Sequence, residues 1–385
     1  MTSLIRDLAE STPEMLAVFG DAALVRTALD FEVVLASAQA AEGLLTVQQA
    51  ALIGEACVEA PDIEALAQAA AHAGTLAIPL VAELRARVAR LSAEAARKVH
   101  LGATSQDVAD TALMLQAKMG QALIARDAAR LLTALADLAR DFAETPMLGR
   151  TLLQPARPIT FGLKAANWLM GVQAAMRRLE HEADGALTLQ LGGAAGTLDD
   201  MQGKGAAVAA RMAQELGLRL PPTPWHTRRD SVAGLAAALA ILTGALGKMA
   251  RDIALLSQTE VAEAFEPRID GRGGSSAMAH KRNPTGCQLA LSAALRAPHL
   301  AATLISALPQ EHERGLGGWQ VEAPVLAELF AVTHGALAAM VVVAEGLEVH
   351  PDRMAANLAA AAVGEDLAEA PAMVRRALEA WKAGA

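Results

Sequence analysis

The chain has 385 residues, a formal net charge of −9 and only two cysteines, Cys57 and Cys287. An acidic chain with no basic run among aromatics argues against a nucleic-acid surface. Two cysteines without metal-ligand spacing argue against a disulfide framework or a structural zinc site, and leave two buried thiols as the simpler expectation. Hydrophobic residues make up 53% of the chain, but much of that is alanine; tyrosine is absent and aromatics reach only 3%. That composition favours helix over sheet.

At the N-terminus, Arg6 and Asp7 fall where a secretion signal would need its apolar stretch, so a cytoplasmic protein is expected. From Asp21 to Ala71 the pattern predicts short helices, with Leu24, Ala28, Phe31 and Leu35 on one face and breaks near Gly43 and Pro61. Residues 1–103 are read as an N-terminal helical domain. The stretch Thr104 to Thr145 has no proline and one glycine, and carries Val108, Leu115, Met119, Leu123, Leu131, Leu135, Leu138 and Phe142 at helical steps. It predicts one long helix or two nearly collinear ones, started by Thr104 or Ser105 as a cap with Asp107 in the first turn.

A second long helix is expected from Pro158 to about Ala183, because the fixed φ of proline suits a first helical position. Gly192, Gly193 and Gly196 then break the pattern. A third is expected from Asp230 or Ser231, through Val232, Leu235, Leu239, Leu242, Leu246, Met249, Ile253 and Leu256, up to Pro267. Such a helix would have about 35 residues and span roughly 50 Å. Its uncharged part, Val232 to Gly247, is short for a membrane span and reads as a buried helix. A small domain cannot cover a helix of that length, so neighbouring subunits are the expected cover, with Gly234, Gly244 and Gly247 permitting close approach. After Pro267 a mobile loop, Gly271 to Ser276, leads to a helical segment from Thr285 to Leu308. Residues 104–345 are read as the central bundle domain, and 346–385 as a short C-terminal helical region.

The segment Gly273-Gly274-Ser275-Ser276-Ala277-Met278-Ala279-His280-Lys281-Arg282-Asn283-Pro284 combines a glycine hinge, two hydroxyls able to move a proton, and an anion-binding pair in Lys281 and Asn283. Any one of these residues would suit an ordinary solvated loop. Together, within the loop 271–284, they resemble the GSSxMPxKxN signature of the fumarase/aspartase superfamily. His100-Leu101-Gly102-Ala103-Thr104-Ser105-Gln106-Asp107 and Gly149-Arg150-Thr151-Leu152-Leu153-Gln154-Pro155-Ala156 look like that superfamily's first and second shared regions, in the same order. The resemblance implies an all-α, elongated bundle in a homotetramer with a twenty-helix core. It also implies active sites assembled from three subunits, a small carboxylate substrate, and no metal, cofactor, nucleic-acid or membrane partner.

Three further segments resemble the bacterial lactonising branch of the superfamily: Pro224 to Asp230, Gln258 to Pro267, and Pro309 to Arg314. That branch closes a ring within 3-carboxymuconate, a tricarboxylate of protocatechuate breakdown. The roles implied are catalytic for Ser275, Lys281 and His100. Substrate binding falls to Thr104, Ser105, Arg150, His280, Asn283, His312 and Arg314, with His226 as readily structural as functional and Arg150 as readily a tie between helices. Superfamily lyases usually read GRTH in the second region, where this chain has Leu152. Leucine cannot move a proton, and a substrate carboxylate with a pKa near ~4 needs no base to act as a nucleophile, so the loss suits ring closure better than elimination. Gln288 replaces a common Glu seven residues after Lys281, which leaves that lysine with more uncompensated charge. Ala279 in place of the usual proline has no functional account. The rival expectations are an adenylosuccinate-type lyase and a retired enzyme scaffold.

Overall fold

A computed structural model describes residues 4–274, 278 and 281–384; Ser275 and His280, two of the expected site residues, lie outside the described residues. The N-terminal part is helical throughout: α1 (Leu4–Glu10), α2 (Pro13–Val18), α3 (Asp21–Ala41), α4 (Val47–Ala56), α5 (Ile63–Ala73), α6 (Ala77–Leu91) and α7 (Ala93–Ala96). The expected break at Gly43 is present, and Gly43 takes a left-handed φ of 72°. The helix before it is one 21-residue element rather than a series of short ones.

Next come α8 (Ser105–Asp141), a hairpin of β1 (Pro146–Thr151) and β2 (Gln154–Thr160), α9 (Phe161–Ala186), α10 (Gly205–Leu216) and α11 (Asp230–Leu256). The two-residue β3 (Ala264–Phe265) pairs with β4 (Glu348–Val349), and between them in sequence lie α12 (Thr285–Ser306) and α13 (Glu322–Glu345). Two short helices close the chain, α14 (Pro351–Ala361) and α15 (Ala370–Lys382).

Five long helices, α8, α9, α11, α12 and α13, form the bundle, and hydrogen bonds and ion pairs near their ends fix their directions. The start of α9 joins the end of α8 through Gly162 N–H to the Phe142 carbonyl, 2.9 Å. Arg229, just before α11, pairs with Asp110 near the start of α8. Glu266, beyond the end of α11, accepts the Gly286 and Cys287 N–H groups at the start of α12. Glu322 at the start of α13 returns to Arg229. The helices therefore alternate in direction. We term the end where α8, α11 and α13 begin the head, and the end where α9 and α12 begin the tail. The 27 residues of α11 separate the two by about 40 Å.

The apolar stripe read from the sequence is the one that packs. Val232, Leu235, Leu239, Leu242, Leu246, Met249, Ile253 and Leu256 are all buried, and burying each such side chain is worth about 1.5–3 kcal/mol. A Cβ added at Gly247 would lie 2.6 Å from the Cβ of Ala294, so glycine there sets how closely α11 and α12 approach. By length and composition α11, α12 and α13 are each long and apolar enough to cross a membrane, which corrects the expectation that the α11 stretch is too short. Within the chain, 61% and 67% of the most apolar windows of α11 and α13 are already buried, against 28% for α12. Leu295 on α12 and Ile241 on α11 remain exposed.

Two boundaries differ from the sequence reading. The second long helix starts at Phe161, because Pro158 faces Leu148 in the hairpin and Thr160 caps the helix by accepting the Leu163 N–H at 3.0 Å. The third ends at Leu256, ten residues or so before Pro267. There Glu263 N–H turns back to the Leu256 carbonyl, and Ala262 takes a left-handed φ of 53°.

Candidate active site

Asp107 organises the head. Its side chain is 0% exposed and receives four donors: the N–H groups of Thr104, Gly192 and Gly193, each at 3.0 Å, and Nε2 of His226 at 2.7 Å. One carboxylate thus caps α8, seats the glycine turn and holds the segment before α11. The turn needs its glycine, since Gly193 has φ 71° and an added Cβ would lie 2.8 Å from the Gly102 carbonyl oxygen. His226 is buried and its Nε2 is engaged by Asp107, as the structural reading of this histidine expects.

Arg314 reaches back over this turn. It donates to Thr104 Oγ1 at 2.8 Å and to the carbonyls of Gly193 and Ala194 at 3.1 and 3.0 Å. Its terminal nitrogens thereby pin the segment after α12 onto the start of α8. His312 is exposed, has a left-handed φ of 46°, and contributes its carbonyl to the Thr227 hydroxyl at 2.9 Å. Ser105 is half-buried at the first position of α8. His100, four residues before Thr104, binds the buried Glu32 through Nδ1 at 2.6 Å. Below this cluster, Arg229 is enclosed between Asp110 and Glu322 and lies 4.4 Å from the Trp225 ring centroid. Burial raises the Glu322 carboxyl above its usual range, although Arg229 opposes the shift.

At the tail, Arg150 makes two 2.8 Å bonds to Glu263, whose second neighbour is Asn357 Nδ2, also at 2.8 Å. Glu263 is 0% exposed. This geometry is that of a tie between elements, the alternative that the sequence left open for Arg150. Leu152 and Leu153 form the two-residue tip of the β1–β2 hairpin, both with left-handed φ, 51° and 64°, and both exposed.

The signature segment is anchored on both sides of its described part. Arg282 pairs with Glu348 at 2.7 and 2.8 Å, donates to the Glu266 carbonyl and lies over the Phe265 ring. Asn283 returns its N–H to the Gly273 carbonyl at 2.8 Å and its side-chain amide to Gly274 at 3.3 Å. Lys281, between these anchors, is exposed and has no side-chain partner among the described residues. Gln288 is exposed on the first turn of α12, where the nearby negative charge is the buried Glu266.

The expected residues therefore divide. Thr104, Ser105, His100, His312 and Arg314 gather at the head, whereas Lys281, Asn283 and Arg150 sit at the tail of the same chain. A reacting group must lie within roughly 3–3.5 Å of its partner, so a single copy does not bring Lys281 to Thr104. The sequence reading missed Glu32, Asp110, Arg229, Glu266 and Glu322, and took Asp107 only as a first-turn acid. It also passed over Lys164, near the start of α9, whose ammonium is pushed below its ordinary pKa by burial. Arg229 stood inside a quoted motif, but spacing does not tell a buried cation from a solvated one. Among the described residues no group of three histidine, cysteine or acidic side chains is placed to hold a metal ion. Both thiols are buried as expected, and burial pushes Cys57 up to about 12.

Comparison with known proteins agrees with this architecture. The sequence profile of a family described as Lyase matches residues 7–298. A 3-carboxy-cis,cis-muconate cycloisomerase of Bradyrhizobium diazoefficiens is 51% identical over 90% of this chain and 77% of its own length. A nitrosuccinate lyase of Streptomyces davaonensis is 43% identical over 93% of this chain and 77% of its own. The crystal structure of the 3-carboxy-cis,cis-muconate lactonizing enzyme from Pseudomonas putida superposes with a TM-score of 0.89 at 41% identity, covering 100% of this chain and 89% of that one. An all-helical bundle, the shared regions and these similarities together place the chain in the lyase family of the fumarase/aspartase superfamily.

Proposed function

We propose that the chain is an intramolecular lyase that interconverts 3-carboxy-cis,cis-muconate and 4-carboxymuconolactone without a cofactor. The working form in this reading is a homotetramer, in which the tail of one copy meets the heads of others and the five long helices of four copies supply the twenty-helix core. A cytoplasmic location goes with it. The observation that carries the choice of reaction is Leu152. It occupies the exposed tip of a hairpin where superfamily lyases carry a histidine, in a chain 51% identical to a cycloisomerase. A side chain that cannot move a proton is tolerable only where the nucleophile is already ionised.

In this mechanism Lys281, Asn283, Thr104 and Ser105 hold the carboxylates, with Arg314 fixing the wall behind Thr104. One substrate carboxylate attacks a conjugated alkene carbon and forms the ring C–O bond. The π electrons move to the adjacent carbon and its carboxylate, and Ser275 or a group behind it supplies the proton that ends up on that carbon. Nothing leaves, so the product is an isomer of the substrate. Holding the two ends together is worth up to about 7–11 kcal/mol, and preorganised charge on the growing dianion adds to it.

The direct test is to mix the purified protein with 3-carboxy-cis,cis-muconate in deuterated water and follow the product by NMR. A lactone carrying one deuterium beside a carboxylate is expected; a tricarboxylate that persists unaltered overturns the reading. The second reading, β-elimination from a substituted succinate, is favoured by the 43% identity to nitrosuccinate lyase. Turnover of nitrosuccinate or adenylosuccinate, with none of the muconate, would select it.

A further inference from the structure

Glu32 sits in the middle of α3 with 1% exposure, and its Oε1 lies 2.6 Å from Nδ1 of His100. Its other oxygen, Oε2, is sealed from solvent and has no partner among the described residues. A buried carboxylate costs several kcal/mol unless charge or several donors compensate it. Among the described residues the donor in place is the imidazole, so the pair is best satisfied as carboxylate and imidazolium.

The charged groups facing His100 come from three elements: Glu32 on α3, Asp107 on α8 and Arg85 on α6. Burial by itself lowers an imidazole pKa, and Arg85 acts the same way; the two carboxylates outweigh both, and the net shift is upward. The Cys57 thiol near Glu32 is pushed up to about 12 and stays neutral. His100 also holds a left-handed φ of 62°, a conformation a histidine rarely adopts unless its surroundings impose it. They do so through Gln39, bound to the Leu101 carbonyl at 2.7 Å, and Arg85, bound to the Val99 carbonyl at 3.2 Å. With Nδ1 taken, Nε2 is the nitrogen left to a ligand, on a side chain 11% exposed and four residues before Thr104.

We propose that Glu32 is a positioning residue for the lactonisation, fixing His100 as an imidazolium whose Nε2–H is presented to a substrate carboxylate beside Thr104 and Ser105. This rests on the reaction proposed above. His100 neither gains nor loses a proton in the step. It stabilises the negative charge that gathers on the carboxylate next to the developing carbanion, while the proton for carbon comes from elsewhere.

The test is Glu32→Gln in the full-length assembled protein, which keeps shape and acceptor and removes the charge. Lactonisation kcat and KM are measured against pH, and the wild-type His100 imidazole is titrated by NMR on histidine-labelled protein, assigned with His100→Gln. The expected result is a loss in kcat of about tenfold or more, with the alkaline limb moved to lower pH by about one unit. A merely structural Glu32 would leave that limb in place, so a folded Glu32→Gln enzyme with the wild-type limb overturns the proposal. If the variant does not fold, the wild-type titration decides: an imidazole pKa above the ordinary value upholds the pair, and one at or below it overturns it. Absence of any wild-type turnover would sink the assigned reaction, while the titration still judges the dyad.

Discussion

The two ends of the bundle are built in opposite ways. At the head, the charged groups around Asp107 are spent within the chain: Asp107 takes four donors, Arg314 spends its terminal nitrogens on Thr104 and two carbonyls, and Arg229 is locked between two acids. At the tail, Arg282 and Asn283 fasten the signature segment while Lys281, just before them, stays exposed. One end is a closed wall, and the other offers a charge that no side chain among the described residues answers. The difference supports the proposed reading in which the catalytic unit is more than a single chain, because the wall and the charge sit at opposite ends of a bundle whose 27-residue α11 is about 40 Å long.

The comparison can be broken first at Asp107. Replacing it with alanine strands three buried N–H groups and His226, and is expected to cost about 3–5 kcal/mol in denaturant unfolding; a change under about 1 kcal/mol would deny that this carboxylate organises the head. Lys281→Ala should do the reverse, lowering turnover by about 10²- to 10³-fold with the unfolding midpoint unmoved. Co-expressing that variant with a Thr104→Ala, Ser105→Ala variant sharpens the point. Random mixing should restore about a quarter of the sites, since heads and tails then come from different copies; no recovery above the two separate residues of activity would mean that each chain works alone. Arg150→Met is a smaller blow, about 1–3 kcal/mol from the unpaired Glu263, read as stability loss with KM little changed.

The smallest effect is a pH dependence of opposite sign at two histidines. Burial holds His334 below its ordinary pKa, although Asp127 opposes it. Its contribution to stability is therefore whole above about pH 6.5 and is lost as pH falls toward its folded value. His100, whose pKa is raised, contributes fully below about pH 6.5 and loses that contribution as pH rises through its folded value. His334→Gln should flatten the acid side of the stability profile and leave the alkaline side untouched.

Much of the fold was legible because long amphipathic helices write their packing into the sequence. The stripe from Val232 to Leu256 is buried as its spacing predicts, and α8 begins where Thr104 and Asp107 indicate. What spacing could not show was where a helix yields to a short tertiary turn. Pro158 is as acceptable in a two-stranded hairpin as at a helix start, and only the pairing with Leu148 decides between them. Site residues were legible as motifs but not as partners. Arg150 and Arg314 carry the right charge for a carboxylate substrate, yet each finds its partner more than 100 residues away within the chain. Glu32 lay in an ordinary helical stretch, and nothing short of the fold brings it to His100.

The four bonds to Asp107 also set a timetable for the newborn polypeptide. Two of its donors stand 85 and 86 positions further along and the third 119, so ribosomal synthesis must pass His226 before this corner can lock. Until then the first turn of a 37-residue helix is held only by its local Thr104–Asp107 bond. A nascent chain arrested before that point should be open to proteases near residue 104, and closed to them soon after it.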